Sequence, residues 1–166
     1  MANAPKVGAT LHAPEIGLKQ ADLKSINSGL AQAVAETFTL YAKTQGYHWN
    51  VVGPTFHSLH EMFEEQYLEL REAADTLAER MRALGALAPG SFTEFQQLAT
   101  IKDHEPAADA DEMVRTLTAD HETISRNLRH LVEVCDDAGD PATADLVTSR
   151  LAAHEKHAWM LRSTLA

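Results

Sequence analysis

The sequence predicts an all-α protein: an antiparallel four-helix bundle with one short extra helix in the connection between the second and third long helices. Apolar residues recur at spacings of three and four along four long segments, which is the period of a helix with one buried face. No segment alternates apolar and polar residues, so strand signals are absent. The length of 166 residues fits one domain.

The first two long helices are marked by their apolar stripes. One is predicted from about Lys19 to about Trp49, and the next from Thr55, a candidate cap after the Gly53-Pro54 break, to about Gly85. The first stripe consists of Leu23, Ile26, Leu30, Val34, Phe38 and Tyr41, and the second of Phe56, Leu59, Phe63, Tyr67, Leu70, Leu77, Met81 and Leu84. Residues 1–18 lack such a period and are predicted to form a flexible tail, so the bundle spans residues 19–166.

Capping signals mark the remaining helix starts. Thr93-Glu94-Phe95-Gln96 matches a capping box at the start of a short helix to about Thr100, and Asp109 with Glu112 forms another box. Asp140-Pro141 places a cap residue before a proline at the first helical position. The third stripe consists of Met113, Leu117, Ile124, Leu128 and Leu131, and the fourth of Val147, Leu151, Ala158, Leu161 and Leu165.

Composition narrows the class of protein. The apolar fraction of 45% supports a packed core, and the formal charge of −10 disfavours a simple nucleic-acid binder but suits a protein that attracts cations. The single cysteine, Cys135, cannot form an internal disulfide and is predicted to be a small core residue in a reducing compartment. No signal peptide or membrane-length apolar run is visible, so a cytoplasmic protein without membrane contact is expected.

Imidazole and carboxylate groups form one polar line on the second helix. His60 and Glu64 are four residues apart, as are Asp75 and Glu79, and His48 ends the first helix. Glu64 and Asp75 differ by roughly 20° around the helix but by roughly 16 Å along it, too far for one metal cluster. Either these are two unrelated solvated patches, or an antiparallel twofold pairing builds one site from two chains. Such ligands suit iron, manganese or zinc.

A di-iron centre within one chain is disfavoured. Four-helix bundles that hold one use two Glu-x-x-His motifs. The residue three positions before each of the nine histidines is never glutamate. A metal site built by a single chain in that manner is therefore not expected.

Three parts of the chain resemble the Dps family of mini-ferritins: residues 46–51 (GYHWNV), Phe56 with residues 59–64 (LHEMFE), and residues 154–162 (HEKHAWMLR). The likeness covers about residues 19–166. It implies a ferritin-like bundle in a hollow shell of twelve subunits that oxidises ferrous iron, with hydrogen peroxide preferred, at twofold interfaces and stores ferric oxide. One chain would supply His48, His60 and Glu64, and its partner Asp75 and Glu79; Glu64 stands where the family more often has aspartate.

The resemblance implies further roles. Trp49, beside His48, would absorb oxidising equivalents; packing at the dimer interface is the alternative that the general preference of tryptophan for interfaces favours, and both roles can hold together. A threefold pore that draws iron inward would be lined by acids among Asp136, Asp137, Asp140 and Asp145; a solvated loop with a cap at Asp140 is the alternative. For His154 and His157, ordinary surface packing is favoured over a second metal site, because Glu155 and Lys156 lie between them.

The competing function is DNA compaction, since many relatives bind DNA through a lysine-rich tail. Here Lys6, Lys19 and Lys24 are nearly balanced by Glu15 and Asp22. Phosphate binding needs clustered positive charge, so weak or absent DNA binding is expected, with a nucleoid association only if DNA is bound. Metal held solely for interface stability is a third alternative.

Overall fold

The computed structural model describes residues 7–8, 11–103 and 109–165, and this part of the chain is helical. Its helices are α1 (Gln20–Asn50), α2 (Phe56–Ala83), α3 (Phe92–Leu98), α4 (Ala110–Ala138) and α5 (Pro141–Ser163). The described residues contain no strand beyond an isolated bridge residue at Ala86. Within the described ranges, every helix is too short or too polar to span a lipid bilayer. The predicted fold class is confirmed, with bounds close to the predicted ones.

Contacts between helix ends establish an antiparallel bundle. At one end of the α1–α2 pair, the Asn27 amide donates to the Leu84 carbonyl at 3.5 Å, and at the other end His48 stacks on His60. α4 and α5 are joined by a short turn, and Arg162 at the end of α5 donates to Glu122 in the first half of α4, so these two helices are also antiparallel. α1 is antiparallel to α4 as well, because Lys43 contacts Asp120 while Glu36 contacts Asn127. Since both α2 and α4 are antiparallel to α1, they are parallel to each other. Their connection must therefore cross the length of the bundle.

The predicted apolar stripes form the core. Most of their side chains are buried, and Cys135 is buried as expected. Phe38 is only half-buried by the bundle, and its ring stacks on Phe95 of α3 at a centroid distance of 4.5 Å. The short helix therefore covers α1 from outside, while Leu165 follows the end of α5 and is 37% exposed.

Two of the predicted caps are wrong. Thr55 precedes α2 but makes no side-chain cap hydrogen bond. The capping box of α3 is formed by Ser91 and Glu94: the Ser91 hydroxyl accepts from the Glu94 amide, and the Glu94 carboxylate accepts from the Ser91 amide. Thr93 lies within the first turn of α3, two residues after the true cap, so it is not the residue at which the helix begins. The cap at Asp109 is confirmed, since its carboxylate accepts from the Glu112 amide at 2.8 Å.

Part of the predicted flexible tail contacts the loop after α2. The Gly8 amide donates to the Leu87 carbonyl at 2.9 Å, and the Leu11 amide donates to the Gly85 carbonyl at 2.8 Å. Gly85 has a φ of 83°, and a Cβ there would lie 1.9 Å from the His12 carbonyl oxygen. A residue without a side chain is therefore required at this approach. The domain boundary at residue 18 stays a prediction, and residues 1–6 and 9–10 lie outside the described chain.

A buried ion pair joins α1 to α4. The Lys43 ammonium lies 2.6 Å from the Asp120 carboxylate, and the two side chains are 2% and 13% exposed. Burial raises the pKa of Asp120, although the hydrogen bond and charge of Lys43 act against that rise. Each buried charge is therefore compensated by its partner in place of water, and loss of either partner would leave the other unpaired.

Candidate metal centre

Two histidines from neighbouring helices form a reciprocal pair. The His48 and His60 rings stack with centroids 3.8 Å apart at 19°. His48 Nδ1 lies 2.9 Å from the His60 carbonyl oxygen, and His60 Nδ1 lies 2.8 Å from the His48 carbonyl oxygen. Because carbonyls only accept, each Nδ1 carries the proton, and each Nε2 keeps a lone pair for a metal. This is how metal-binding imidazoles are commonly oriented.

Glu64 lies one turn beyond His60 and is held by a tyrosine. The Tyr67 hydroxyl donates to Glu64 Oε1 at 3.3 Å, and its ring meets His48 edge-on at 5.2 Å. Burial and the Glu64 carboxylate raise the pKa of Tyr67, so the phenol stays protonated and can donate. Sequence reasoning assigned Tyr67 to the core stripe and missed this contact. Its position three residues after Glu64 was the available signal.

Asp75 and Glu79 lie exposed farther along α2. The helix is unbroken between Glu64 and Asp75, so their separation along its axis is roughly 16 Å. Within the described ranges, no three histidine, cysteine, aspartate or glutamate side chains already gather as a metal site. One chain therefore presents two separate groups of candidate ligands, His48, His60 and Glu64 in the first and Asp75 and Glu79 in the second.

Large apolar side chains are exposed around the first of these groups. Trp49 is 68% exposed and Phe56 45%, and the Phe56 ring lies 5.1 Å from His60. Leu68, one turn beyond Glu64, is 41% exposed. Exposed apolar groups grouped beside potential ligands mark an interaction surface.

The acidic group after α4 divides into exposed and buried members. Asp136, Asp137 and Asp145 are exposed, but Asp140 is only 4% exposed. Asp140 accepts from the Thr143 amide and from Arg80 at 2.9 Å. Burial would raise the pKa of Asp140, but these hydrogen bonds and the Arg80 charge lower it. Its carboxylate is thus engaged as helix cap and ion pair, which supports the cap alternative for this residue rather than a pore-lining role.

The prediction of surface packing for His154 is wrong. His154 is 0% exposed, and its Nδ1 lies 2.9 Å from Nδ1 of His121, which is also 0% exposed. His157 is largely buried, with Nε2 3.4 Å from the Glu69 carboxylate. Sequence reasoning missed His121 and Glu69. The signal was periodicity, since His121 and His154 continue the apolar stripes of α4 and α5.

Comparison with known proteins agrees with this architecture. Residues 27–166 match the family model for the ferritin-like domain. An uncharacterized low temperature-induced protein of Nostoc sp. is 45% identical over 150 residues, covering 89% of this chain and 84% of its own. The DNA protection during starvation protein of Brevibacillus brevis is 39% identical over 136 residues, covering 82% and 91%.

A solved structure extends the likeness to three dimensions. A Dps protein from Vibrio cholerae O1, itself a member of a broad superfamily of ferritin-like diiron-carboxylate proteins, superposes with a TM-score of 0.88 at 30% identity. The match covers 95% of this chain and 99% of that one. Because the family model, the sequence relatives and the fold agree over nearly the same residues, the chain belongs to the Dps family of ferritin-like proteins.

Proposed function

We propose that this protein oxidises ferrous iron at sites shared between two chains and stores the ferric oxide in a hollow shell of twelve subunits. Hydrogen peroxide is the proposed oxidant. The observation that carries the proposal is the His48–His60 pair, because it leaves two imidazole lone pairs beside the Glu64 carboxylate. Neutral imidazole and carboxylate together suit iron.

The second half of each site comes from the partner chain in this proposal. A twofold axis that pairs two α2 helices antiparallel places Asp75 and Glu79 of one chain opposite His60 and Glu64 of the other. Two identical sites result per dimer. The exposed Trp49, Phe56 and Leu68 would be covered by the same pairing, which removes apolar surface from water.

The negative charge of the carboxylate ligands favours the oxidation of bound ferrous iron. Two ferrous ions reduce one peroxide with two protons, which yields two ferric ions and two waters. The carboxylates stabilise the more highly charged ferric product more strongly than the ferrous substrate, because Coulomb attraction grows with ionic charge. Tyr67 holds Glu64 in place by its hydrogen bond. Trp49, next to His48 in the chain, would absorb stray oxidising equivalents.

Iron entry is assigned to the exposed acids at the α4–α5 turn. Asp136, Asp137 and Asp145 are exposed, and a ring of such carboxylates around a threefold opening would concentrate ferrous ions. Asp140 is not included among the entry acids, because it is buried and caps α5.

Replacing His60 with alanine is expected to lower the rate of peroxide-driven ferrous oxidation at least about tenfold, because a ligand is lost. The formation of ferric product is followed by its ultraviolet absorbance. His57→Ala is the matched control: His57 lies three residues away on α2, its side chain is 82% exposed, and its loss should leave the rate unchanged. An unaltered rate in the His60 variant would rule out this site.

DNA compaction is disfavoured by charge. The chain carries a formal charge of −10, and its first 24 residues hold three lysines against two carboxylates. We expect no stable complex with duplex DNA at physiological salt, since binding to phosphates requires clustered cations. A gel-shift assay that retained DNA at micromolar protein would contradict this. The cytoplasmic location likewise stays a prediction.

A further inference from the structure

Two buried imidazoles join α4 to α5 inside the bundle. His121 of α4 and His154 of α5 are both 0% exposed, and their Nδ1 atoms lie 2.9 Å apart. At that distance one Nδ1 donates a hydrogen bond and the other accepts it, so the pair needs one protonated and one unprotonated Nδ1 atom. Two neutral rings of opposite tautomer satisfy this arrangement.

The geometry of the pair admits one additional proton at most. An imidazolium ring carries hydrogens on both nitrogens, so it can still donate from Nδ1 to a neutral partner. If both rings became imidazolium, two N–H donors would face each other across 2.9 Å and the two positive charges would repel. A doubly protonated pair therefore requires His121 and His154, and the helices that carry them, to move apart.

The surroundings of the pair also oppose positive charge. No described residue hydrogen-bonds to His121 Nε2 or His154 Nε2, although both atoms are buried. Arg150 of α5 is 8% exposed, and its guanidinium charge acts on both rings. The ring of His157 lies 5.3 Å from that of His121, centroid to centroid. A proton added to the pair would therefore be poorly solvated and would lie near another cation.

Two carboxylates come close to the pair, but each already has a cationic partner. Glu69 of α2 pairs with Arg150 and lies 3.4 Å from His157 Nε2. Asp120, which precedes His121 on α4, pairs with Lys43 of α1 at 2.6 Å. Neither carboxylate hydrogen-bonds to an imidazole of the pair, so neither replaces the solvation that an imidazolium ring would lose.

The direction of the pH dependence follows from burial. Burial, with the charges of His157 and Arg150, lowers the pKa of His121 to about 3, although Glu69 acts against that shift. Burial likewise lowers the pKa of His154 well below its usual value. A histidine in water has a pKa of about 6.5, so separated helices bind more protons than packed ones below that pH. The packed state is fully favoured above pH 6.5 and loses this advantage as the pH falls.

We propose that the His121–His154 pair is an acid-sensitive switch, which holds α4 against α5 at neutral pH and releases that contact as the pH falls toward 5. The released state takes up two protons from solvent, and the hydrogen bond between the two Nδ1 atoms breaks. The switch uses none of the residues of the candidate iron site and operates whether or not iron is bound there.

The size of the effect follows from proton counting. Each histidine is expected to raise the ratio of released to packed molecules about 25-fold between pH 7 and pH 5, so the pair raises it about 600-fold. Glu69 contributes mainly below pH 5, because hydrogen bonds and charges from His157 and Arg150 lower its pKa from 4.5 to about 2 against the effect of burial. The interval from pH 7 to pH 5 therefore isolates the imidazoles.

Hydrogen exchange of the wild-type protein, followed by mass spectrometry at pH 7 and pH 5, tests the switch without any substitution. After correction for the pH dependence of the intrinsic exchange rate, peptides around His121 and His154 are expected to lose protection by up to about 600-fold. Peptides of α1 and α2 are expected to lose much less. Unchanged protection of α4 and α5 at pH 5, or an equal loss in every helix, would overturn the proposal.

Matched substitutions assign the effect to the two imidazoles. The double variant His121→Gln with His154→Gln has no titrating group at either position, so its α4–α5 protection should change by less than about threefold. The single variant His154→Gln should keep a change of about 25-fold. His130→Gln is the control on α4, because that side chain is 78% exposed, and it should respond like the wild type. A wild-type response in the folded double variant would refute the switch.

Nuclear magnetic resonance of wild-type protein with labelled histidine rings decides the matter if the double variant does not fold. The ring signals of His121 and His154 are expected to keep the chemical shifts of neutral imidazole in the packed state at pH 5.5. Titration of both rings near pH 6.5 while α4 and α5 stay protected from exchange would refute the switch.

Discussion

Refolding an equal mixture of His60→Ala and Asp75→Ala chains is expected to restore about a quarter of the wild-type rate of ferrous oxidation, although each variant alone loses its activity. In a mixed dimer, one site carries both substitutions and the other carries none. Random pairing makes half of the dimers mixed, so about a quarter of all sites are intact. The rate is measured with peroxide at saturating ferrous iron.

The matched control combines His60→Ala with Glu64→Ala. Both substitutions fall in the same group of candidate ligands, so every site of every dimer is damaged and no recovery is expected. Mixing the assembled variants without refolding should likewise leave the rate low. If the first mixture stayed as inactive as its components while mass measurements showed mixed dimers, the shared site would be refuted. Recovery in the Glu64 mixture would indicate instead that refolding itself alters the rate.

Replacing Lys43 with methionine is expected to lower the free energy of unfolding by about 3–5 kcal/mol, because the buried Asp120 carboxylate loses its counter-charge. The side chains have similar length, so little volume is lost. Guanidinium unfolding, compared at one fixed protein concentration, measures the change, since assembly contributes to apparent stability.

Two further variants show whether the loss of stability comes from the unpaired Asp120 charge. Lys24→Met, on the exposed side of α1, should change stability by no more than about 0.5 kcal/mol. The double variant Lys43→Met with Asp120→Leu should recover most of the loss, because no unpaired charge remains. A single Lys43 variant as stable as wild type would show that the pair adds nothing to folding.

The candidate ligands of the iron site could be chosen from the sequence, but the hydrogen bonds that orient them could not. The i, i+4 spacing placed His60 with Glu64 and Asp75 with Glu79 on one face, and helix rise alone showed that the two pairs cannot meet within a chain. The hydrogen bonds that set the imidazole tautomers run between α1 and α2, to backbone carbonyls. Sequence spacing within one helix carries no information about such contacts.

Two buried side chains also show what the sequence indicated and what required the structure. The sequence predicted Asp140 as the cap of α5 and left open whether it also lines a pore, and the ion pair with Arg80 that helps to bury it is visible only in the structure. His154 was expected at the surface because charged residues follow it, although its place in the apolar stripe of α5 indicated burial; its contact with His121 of α4 is visible only in the structure.

The sequence by itself determined the all-α class, the helices and their core stripes, because local periodicity and capping act over a few residues. It also determined that no single helix could bring its polar pairs together, which follows from the rise per residue. The tertiary structure decided which polar side chains were desolvated, which carbonyls oriented the imidazoles and which histidines met in the core. Those outcomes depend on the packing of helices far apart in the chain, and side-chain burial and hydrogen bonding are set only when that packing is formed.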